Sequence, residues 1–264
     1  MPNKHIQLYS LKDEAKADFI GTLRKLKAIG YEGVEFFGGY YGGYSAKELR
    51  KILDDIGLLP VSAHVSTDEV SKHVEFAKEL ELQYLVDPWA DIKDHASALA
   101  FSARLNDAGE VCKEHGIKFG YHNHAHEFLR GLDGHLLETL LLYTDPKLVC
   151  FELDVGWAKY ADATPAWYIK HHPGRFKLLH IKECGHVFGP SPSEEDFQKY
   201  PGMQGNKWNV KMGSGLVHWS SVFSAALDVG IDCFIVEREH DYLGDMFRCV
   251  EEDLDALRGF LGEK

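Results

Sequence analysis

From His5 onward, apolar positions along this chain follow two alternating rhythms. Short runs rich in β-branched and aromatic residues alternate with longer stretches whose apolar residues recur at helical spacing, a pattern that points to βα units and a parallel sheet. The short runs predict strands over 5–9, 33–37, 60–64, 84–87, 118–122, 149–154, 178–181 and 233–237. Between them the spacing predicts helices near 15–29, 46–56, 71–79, 96–114, 136–143, 164–171, 219–229 and 243–260. Gly30, Gly57, Gly116 and Gly230 each follow a helical stretch and precede a strand, where a left-handed cap conformation turns the chain back.

Eight such units in 264 residues match the size of one (β/α)8 barrel. No Pro/Ser-rich linker or change of composition divides them, so residues 1–264 are expected to form a single α/β domain. A doubly wound open sheet is the alternative, but no Gly-x-Gly-x-x-Gly follows the first strand. The glycine-rich loop 38–44 lacks the lysine and spacing of a phosphate loop and reads as a flexible aromatic rim. The longest irregular segment, 183–215, is expected to act as a lid over the barrel mouth or as an oligomer contact.

A net charge of −12, from 29 basic and 41 acidic residues with no basic run, argues against a nucleic-acid backbone or an anionic membrane as partner. Five cysteines, odd in number and never in Cys-x-x-Cys spacing, suggest free thiols in a reducing compartment. With no apolar signal core and no apolar run of membrane-spanning length, the expected location is the cytoplasm. Tyr40, Tyr41 and Tyr44, read as an exposed face, would suit a homo-oligomer contact.

The chemistry is concentrated at the predicted strand ends. Residues 118–128 read Lys-Phe-Gly-Tyr-His-Asn-His-Ala-His-Glu-Phe, and in a strand His122 and His124 face one way with Asn123 facing the other. Two imidazoles on one side suit a divalent cation or a charged substrate. Glu35, His64, Asp87, Glu152, Asp154, His180, Lys182, Glu237 and Glu239 stand at or near the ends of other strands, where barrel side chains converge on one mouth. Burying such groups in apolar runs is costly without a partner, and a shared metal offers one. His122, Asp154, His180 and Glu237 would form a mixed nitrogen and oxygen site suited to Mn, Zn, Co or Fe; the alternative is a metal-free hydrogen-bonded network.

These residues carry a resemblance. Ile6-Gln7-Leu8-Tyr9-Ser10, Gly33-Val34-Glu35-Phe36, Tyr121-His122-Asn123-His124 with Glu127-Phe128, Glu152-Leu153-Asp154-Val155-Gly156-Trp157, Leu179-His180-Ile181-Lys182, Gly213-Ser214-Gly215 with Trp219, and Val236-Glu237 together resemble the xylose-isomerase-like barrel superfamily. That superfamily contains sugar phosphate isomerases and epimerases, keto-sugar 3-epimerases, inosose dehydratases and an endonuclease branch. The resemblance implies one divalent cation, with Asp154, His180 and Glu237 at three family ligand positions. At the strand-five position the family has glutamate where this chain reads His122-Asn123-His124, which makes a symmetric two-glutamate proton shuttle doubtful. The implied chemistry is proton abstraction from a carbon beside a sugar carbonyl. Glu237 is then ligand and possible base, His124 or Glu152 the second acid/base or a supporting group, and Glu35, His64, Glu127, Trp157 and Lys182 substrate contacts around the mouth.

The leading expectation is a metal-dependent isomerase or epimerase acting on a small-molecule keto-sugar. A lyase acting on a 3-keto sugar, 3-keto-glycoside or inosose shares the first step, and His122 favours it because elimination needs one base and one acid. A non-catalytic sugar-binding barrel is a third reading. The endonuclease branch is opposed by the acidic charge and by too few metal ligands.

Overall fold

A computed structural model describes residues 2–263. Eight parallel strands, β1 (Asn3–Gln7), β2 (Gly33–Phe36), β3 (Leu59–His64), β4 (Tyr84–Asp87), β5 (Lys118–His122), β6 (Val149–Asp154), β7 (Phe176–Ile181) and β8 (Cys233–Val236), form a closed barrel in sequence order. Ile6 of β1 pairs with Val34 on one side and Val236 on the other, which closes the ring. Among the described residues no helix is long and apolar enough to cross a membrane. All five cysteines are free and buried.

Two apolar layers follow from the period of two along each strand. Alternate residues such as Ile6, Val34, Leu85, Phe119, Leu153, Leu179 and Phe234 point outward and join the helices in the main core. A separate small cluster of Val61, Tyr84, Val86, Cys150, Leu178, Cys233 and Ile235 fills the barrel interior. Continuing the inward parity from that plug toward the carboxyl ends reaches Glu152 and Asp154 on β6, His180 on β7 with Lys182 just past it, and Glu237 just past β8. The pleat therefore stacks ionisable groups above an apolar floor.

Departures from the expected elements have local causes. The first strand stops at Gln7 instead of 9 because the Gln7 side chain accepts a bond from the Tyr9 amide at 3.0 Å and starts a 3-10 turn, Leu8–Leu11. The first helix is two pieces, Lys12–Ala17 and Phe19–Ile29. Asp18 breaks it by capping the second piece, its carboxylate accepting from the Gly21 amide at 2.9 Å. Two short helices, Val155–Tyr160 and Glu194–Lys199, fall where loop was expected. The four cap glycines all take positive φ. Tyr41 does not form an exposed face: it is buried and stacks on Phe76 at 4.2 Å, while Tyr40 and Tyr44 pack against Phe19.

Candidate active site and metal centre

Glu152 Oε2 lies 2.9 Å from His64 Nε2, 3.0 Å from His122 Nδ1 and 3.1 Å from His180 Nε2. One carboxylate oxygen thus gathers three imidazoles from β3, β5 and β7. Glu35 supports the same layer: its Oε1 is 2.7 Å from His180 Nε2 and accepts from Gln7 Nε2 at 2.7 Å, and its Oε2 accepts from Ser62 Oγ at 2.6 Å. All of these side chains are buried.

Above them sits a second layer. The other nitrogens of the two shared imidazoles face Asp154 Oδ2, His122 Nε2 at 3.8 Å and His180 Nδ1 at 3.8 Å, while Glu237 Oε2 is 2.9 Å from His180 Nδ1. His122, Asp154, His180 and Glu237 offer donor atoms all within 4.8 Å of one another. Donors about 2.1 Å from a shared ion stand roughly 3–4 Å apart, so the set fits a divalent cation. Asp154 Oδ2 is buried without a hydrogen-bond partner, as an oxygen reserved for a cation would be. His64, His122, Glu152 and His180 form an overlapping group, and His124 belongs to neither.

Lys182 brings its ammonium to 2.8 Å from Glu237 Oε2, 3.2 Å from Asp154 Oδ2 and 3.4 Å from Glu239 Oε1, at ion-pair distance but without a well-directed hydrogen bond. Burial opposes that charge, yet Asp154 and Glu237 hold the lysine protonated. Burial likewise opposes ionisation of Glu237, and the charges of Lys182 and His180 overcome it, keeping the carboxyl well below its usual range. For His64, burial is outweighed by Glu35 and Glu152, which push it up to about 10. His180 is raised in the same way. His124 behaves oppositely: burial, with His122 and Lys182 nearby, holds it neutral.

A cavity of about 380 Å³ opens above this centre, lined by His64, His122, His124, Glu237 and Glu239 and rimmed by Tyr9, Phe37 and Trp89. Strand five keeps the expected alternation: His122 and His124 both face the cavity, whereas Asn123 turns away and accepts from the Asp154 amide at 3.1 Å. Glu35 and Glu152 lie beneath the histidines, not in the cavity wall. Glu127 is turned under the loop, where it accepts from the Tyr121 hydroxyl and from the His124 amide at 3.0 Å, so both oxygens are occupied in shaping that loop. Trp157 stands beside the cavity, its ring centroid 5.2 Å from that of His124.

Sequence reasoning passed over Glu183. Its carboxylate accepts from the amides of Cys184 (2.9 Å), Gly213 (2.8 Å) and Val217 (3.1 Å) and from Trp219 Nε1 (2.6 Å). It fastens the long loop at both ends, and the Gly213-Ser214-Gly215 motif with Trp219 was the available signal. No residue of 183–215 lines the 380 Å³ cavity, so the segment flanks that cavity instead of covering it.

Residues 23–260 match the family model described as "Xylose isomerase-like TIM barrel". Inosose dehydratase 2 of Bacillus cereus is 25% identical over 138 residues, 52% of this chain and 45% of that protein. The alignment thus spans less than half the length of that curated relative. The crystal structure of a sugar phosphate isomerase/epimerase from Parabacteroides distasonis superposes with a TM-score of 0.77 and 29% identity, covering 98% of this chain and 94% of that one. The IOLI protein, solved with a bound zinc atom, superposes with a TM-score of 0.75 at 13% identity over 99% and 98% of the two chains, a likeness of fold.

Proposed function

The chain belongs to the xylose isomerase-like TIM barrel family, and from that premise we propose that it is a metal-dependent isomerase or epimerase that removes a proton from the carbon beside the carbonyl of a keto-sugar. The observation that supports this most directly is one cavity wall carrying an ionised carboxylate, Glu237, and a neutral imidazole, His124, beside the His122, Asp154, His180 and Glu237 donor set. His122, Asp154, His180 and Glu237 would hold the ion. A divalent cation bound there polarises a carbonyl as a Lewis acid, whichever of Mn, Zn, Co or Fe it is.

Glu237 acts as the base and takes the proton from carbon. Lys182, fixed at 2.8 Å, keeps that carboxylate ionised before the transfer. His124 carries the second proton movement, and His64 contacts a substrate hydroxyl from the cavity lining. Glu152 positions the imidazoles from below. Trp157 shapes the side of the sugar site, and the aromatic rim of Tyr9, Phe37 and Trp89 packs on the apolar face of the ring.

A second reading, a lyase on a 3-keto sugar, 3-keto-glycoside or inosose, is favoured by the same unlike pair. One carboxylate and one imidazole suit removal of a proton from carbon and its relay to a leaving oxygen, the neutral imidazole accepting at one nitrogen as it donates from the other, better than an exchange between two matched carboxylates. The partial similarity to inosose dehydratases supports it as well.

The deciding experiment is NMR in deuterated water with metal-loaded protein and a panel of keto-sugars, 3-keto-glycosides and inososes. Metal-dependent deuterium incorporation with an intact carbon skeleton is expected for the isomerase or epimerase, and loss of water or an aglycone for the lyase. Glu237→Gln should slow exchange by roughly 10²–10⁴-fold. No exchange or elimination with any of these sugars, in protein that carries metal, would sink both readings.

A further inference from the structure

The long loop after β7 builds more than a flank. Together with the helix Val155–Tyr160 it borders a second, open cavity of about 630 Å³, larger than the one above the carboxylates. Trp157 is the partition between them: it lines the second cavity, and its ring centroid lies 5.2 Å from that of His124, which lines the first. A third recess, of about 340 Å³, adjoins both: it shares Tyr9 and Glu239 with the first cavity and Asn206 with the second. The two cavities therefore lie side by side at the barrel mouth, with Trp157 between them and the metal-competent centre below the first.

The second cavity combines the partly exposed rings of Trp157 and Phe197, backed by the buried Trp208, with the carboxamides of Gln198, Gln204 and Asn206. Its wall carries no lysine or arginine, and Glu194 is the only side chain there that is charged at neutral pH. Such a lining repels phosphate, which needs cationic donors. A purely apolar guest would leave the carboxamides of Gln198 and Asn206 without use. A pyranose ring satisfies both kinds of wall: its C–H face is electropositive and packs on the negative face of an aromatic ring, and its hydroxyls both donate and accept, as carboxamides do. Nearly all of the cavity's polar groups come from residues 194–206, a segment that the closed barrel does not need for its strands.

We infer that this cavity is a subsite for a second pyranose ring joined by a glycosidic bond to the ring that reacts at Glu237, so that the substrate class is a disaccharide or larger glycoside and not a free or phosphorylated monosaccharide. The inference rests on the sugar-acting reading of the first cavity. Under the lyase reading the second ring is the leaving group.

The test measures binding apart from turnover. Glucose, cellobiose, maltose and p-nitrophenyl β-glucoside are titrated into the full chain and its Asp154→Asn variant by intrinsic tryptophan fluorescence, with saturation-transfer NMR reporting which ring is held. At least one disaccharide is expected to bind about five- to tenfold more tightly than glucose in both proteins, with saturation reaching both rings. Phe197→Ala and Asn206→Ala should each remove most of that gain. The subsite is overturned if no disaccharide exceeds glucose by twofold, if the gain survives both substitutions, or if the aryl glucoside gains as much with saturation confined to its aryl ring. The outcomes separate from those of the exchange experiment. Exchange on monosaccharides without a disaccharide gain sinks only the subsite, whereas a gain without any exchange sinks the proposed chemistry and leaves a two-ring carbohydrate site.

Discussion

Glu152 shows how a single buried carboxylate can govern a centre it does not line. With its Oε2 at 2.9–3.1 Å from nitrogens of His64, His122 and His180, it fixes which nitrogen of each ring carries the proton. His122 then presents Nε2, and His180 presents Nδ1, toward Asp154. Glu152→Gln keeps the shape but replaces an acceptor by a group that also donates, and is expected to weaken metal binding about 10- to 100-fold, read by competition with a chelator. A role confined to proton transfer would instead leave metal affinity unchanged and lower turnover alone. One layer below, level with the apolar plug, burial depresses His5 to about 4. A histidine held below its unfolded value supports folding fully above pH 6.5 and loses that support as pH falls toward 4. Urea denaturation should therefore show stability dropping between pH 7 and pH 5 by on the order of 2 kcal/mol from this group. His5→Gln should flatten that part of the profile.

At the level of elements, the long loop after β7 depends on Glu183 and on a glycine that admits it. A Cβ on Gly215 would stand 2.5 Å from both the Cys184 carbonyl oxygen and Glu183 Oε1, so Gly215→Ala must push the loop off its anchor. A cost of about 1–3 kcal/mol is expected, visible as a lowered melting temperature and faster proteolysis within 186–212. Unchanged proteolysis would mean that the loop is held elsewhere. The sequence pattern contained the barrel because parallel strands buried on both sides read as short apolar runs, and β4, β5 and β6 matched at both ends. It contained the metal-competent set because inward parity carries an ionisable residue at a strand end into the mouth. Depth was not legible: nothing in the order of residues says that Glu35 and Glu152 stop one layer short of the cavity. Side-chain caps were also hidden, since Gln7, Asp18 and Glu183 act through bonds to particular amides. Glu127 was expected at the mouth, but its two oxygens accept from the Tyr121 hydroxyl on β5 and from the His124 amide.

Across the whole molecule, the centre is a charge problem with two solutions. The buried Glu35, Glu152, Asp154 and Glu237 and the partly exposed Glu239 bring five carboxyl groups together, and Lys182 is the fixed cation among them. The deficit is filled either by protons on His64 and His180, both held above their usual values by those carboxylates, or by a divalent cation. The two compete at His180, because the nitrogen that faces Asp154 and Glu237 cannot carry a proton and bind an ion together. Metal affinity should therefore rise with pH, and isothermal titration with Mn²⁺ or Zn²⁺ at pH 6 and pH 8 should give the smaller Kd at pH 8, with protons released on binding. Without metal the sign reverses. A histidine raised to about 10, as His64 is, stabilises the fold fully below pH 6.5 and loses that contribution as pH climbs toward 10. Metal-free protein should thus melt at progressively lower temperature from pH 6.5 to pH 10, while at pH 8 a cation at a hundredfold excess over its Kd adds about 2.7 kcal/mol. For a chain of this size that corresponds to roughly 5–10 °C in thermal unfolding, and the increment should vanish in Asp154→Asn. A shift of equal size in that variant would place the cation elsewhere and leave the five carboxylates balanced by protons alone.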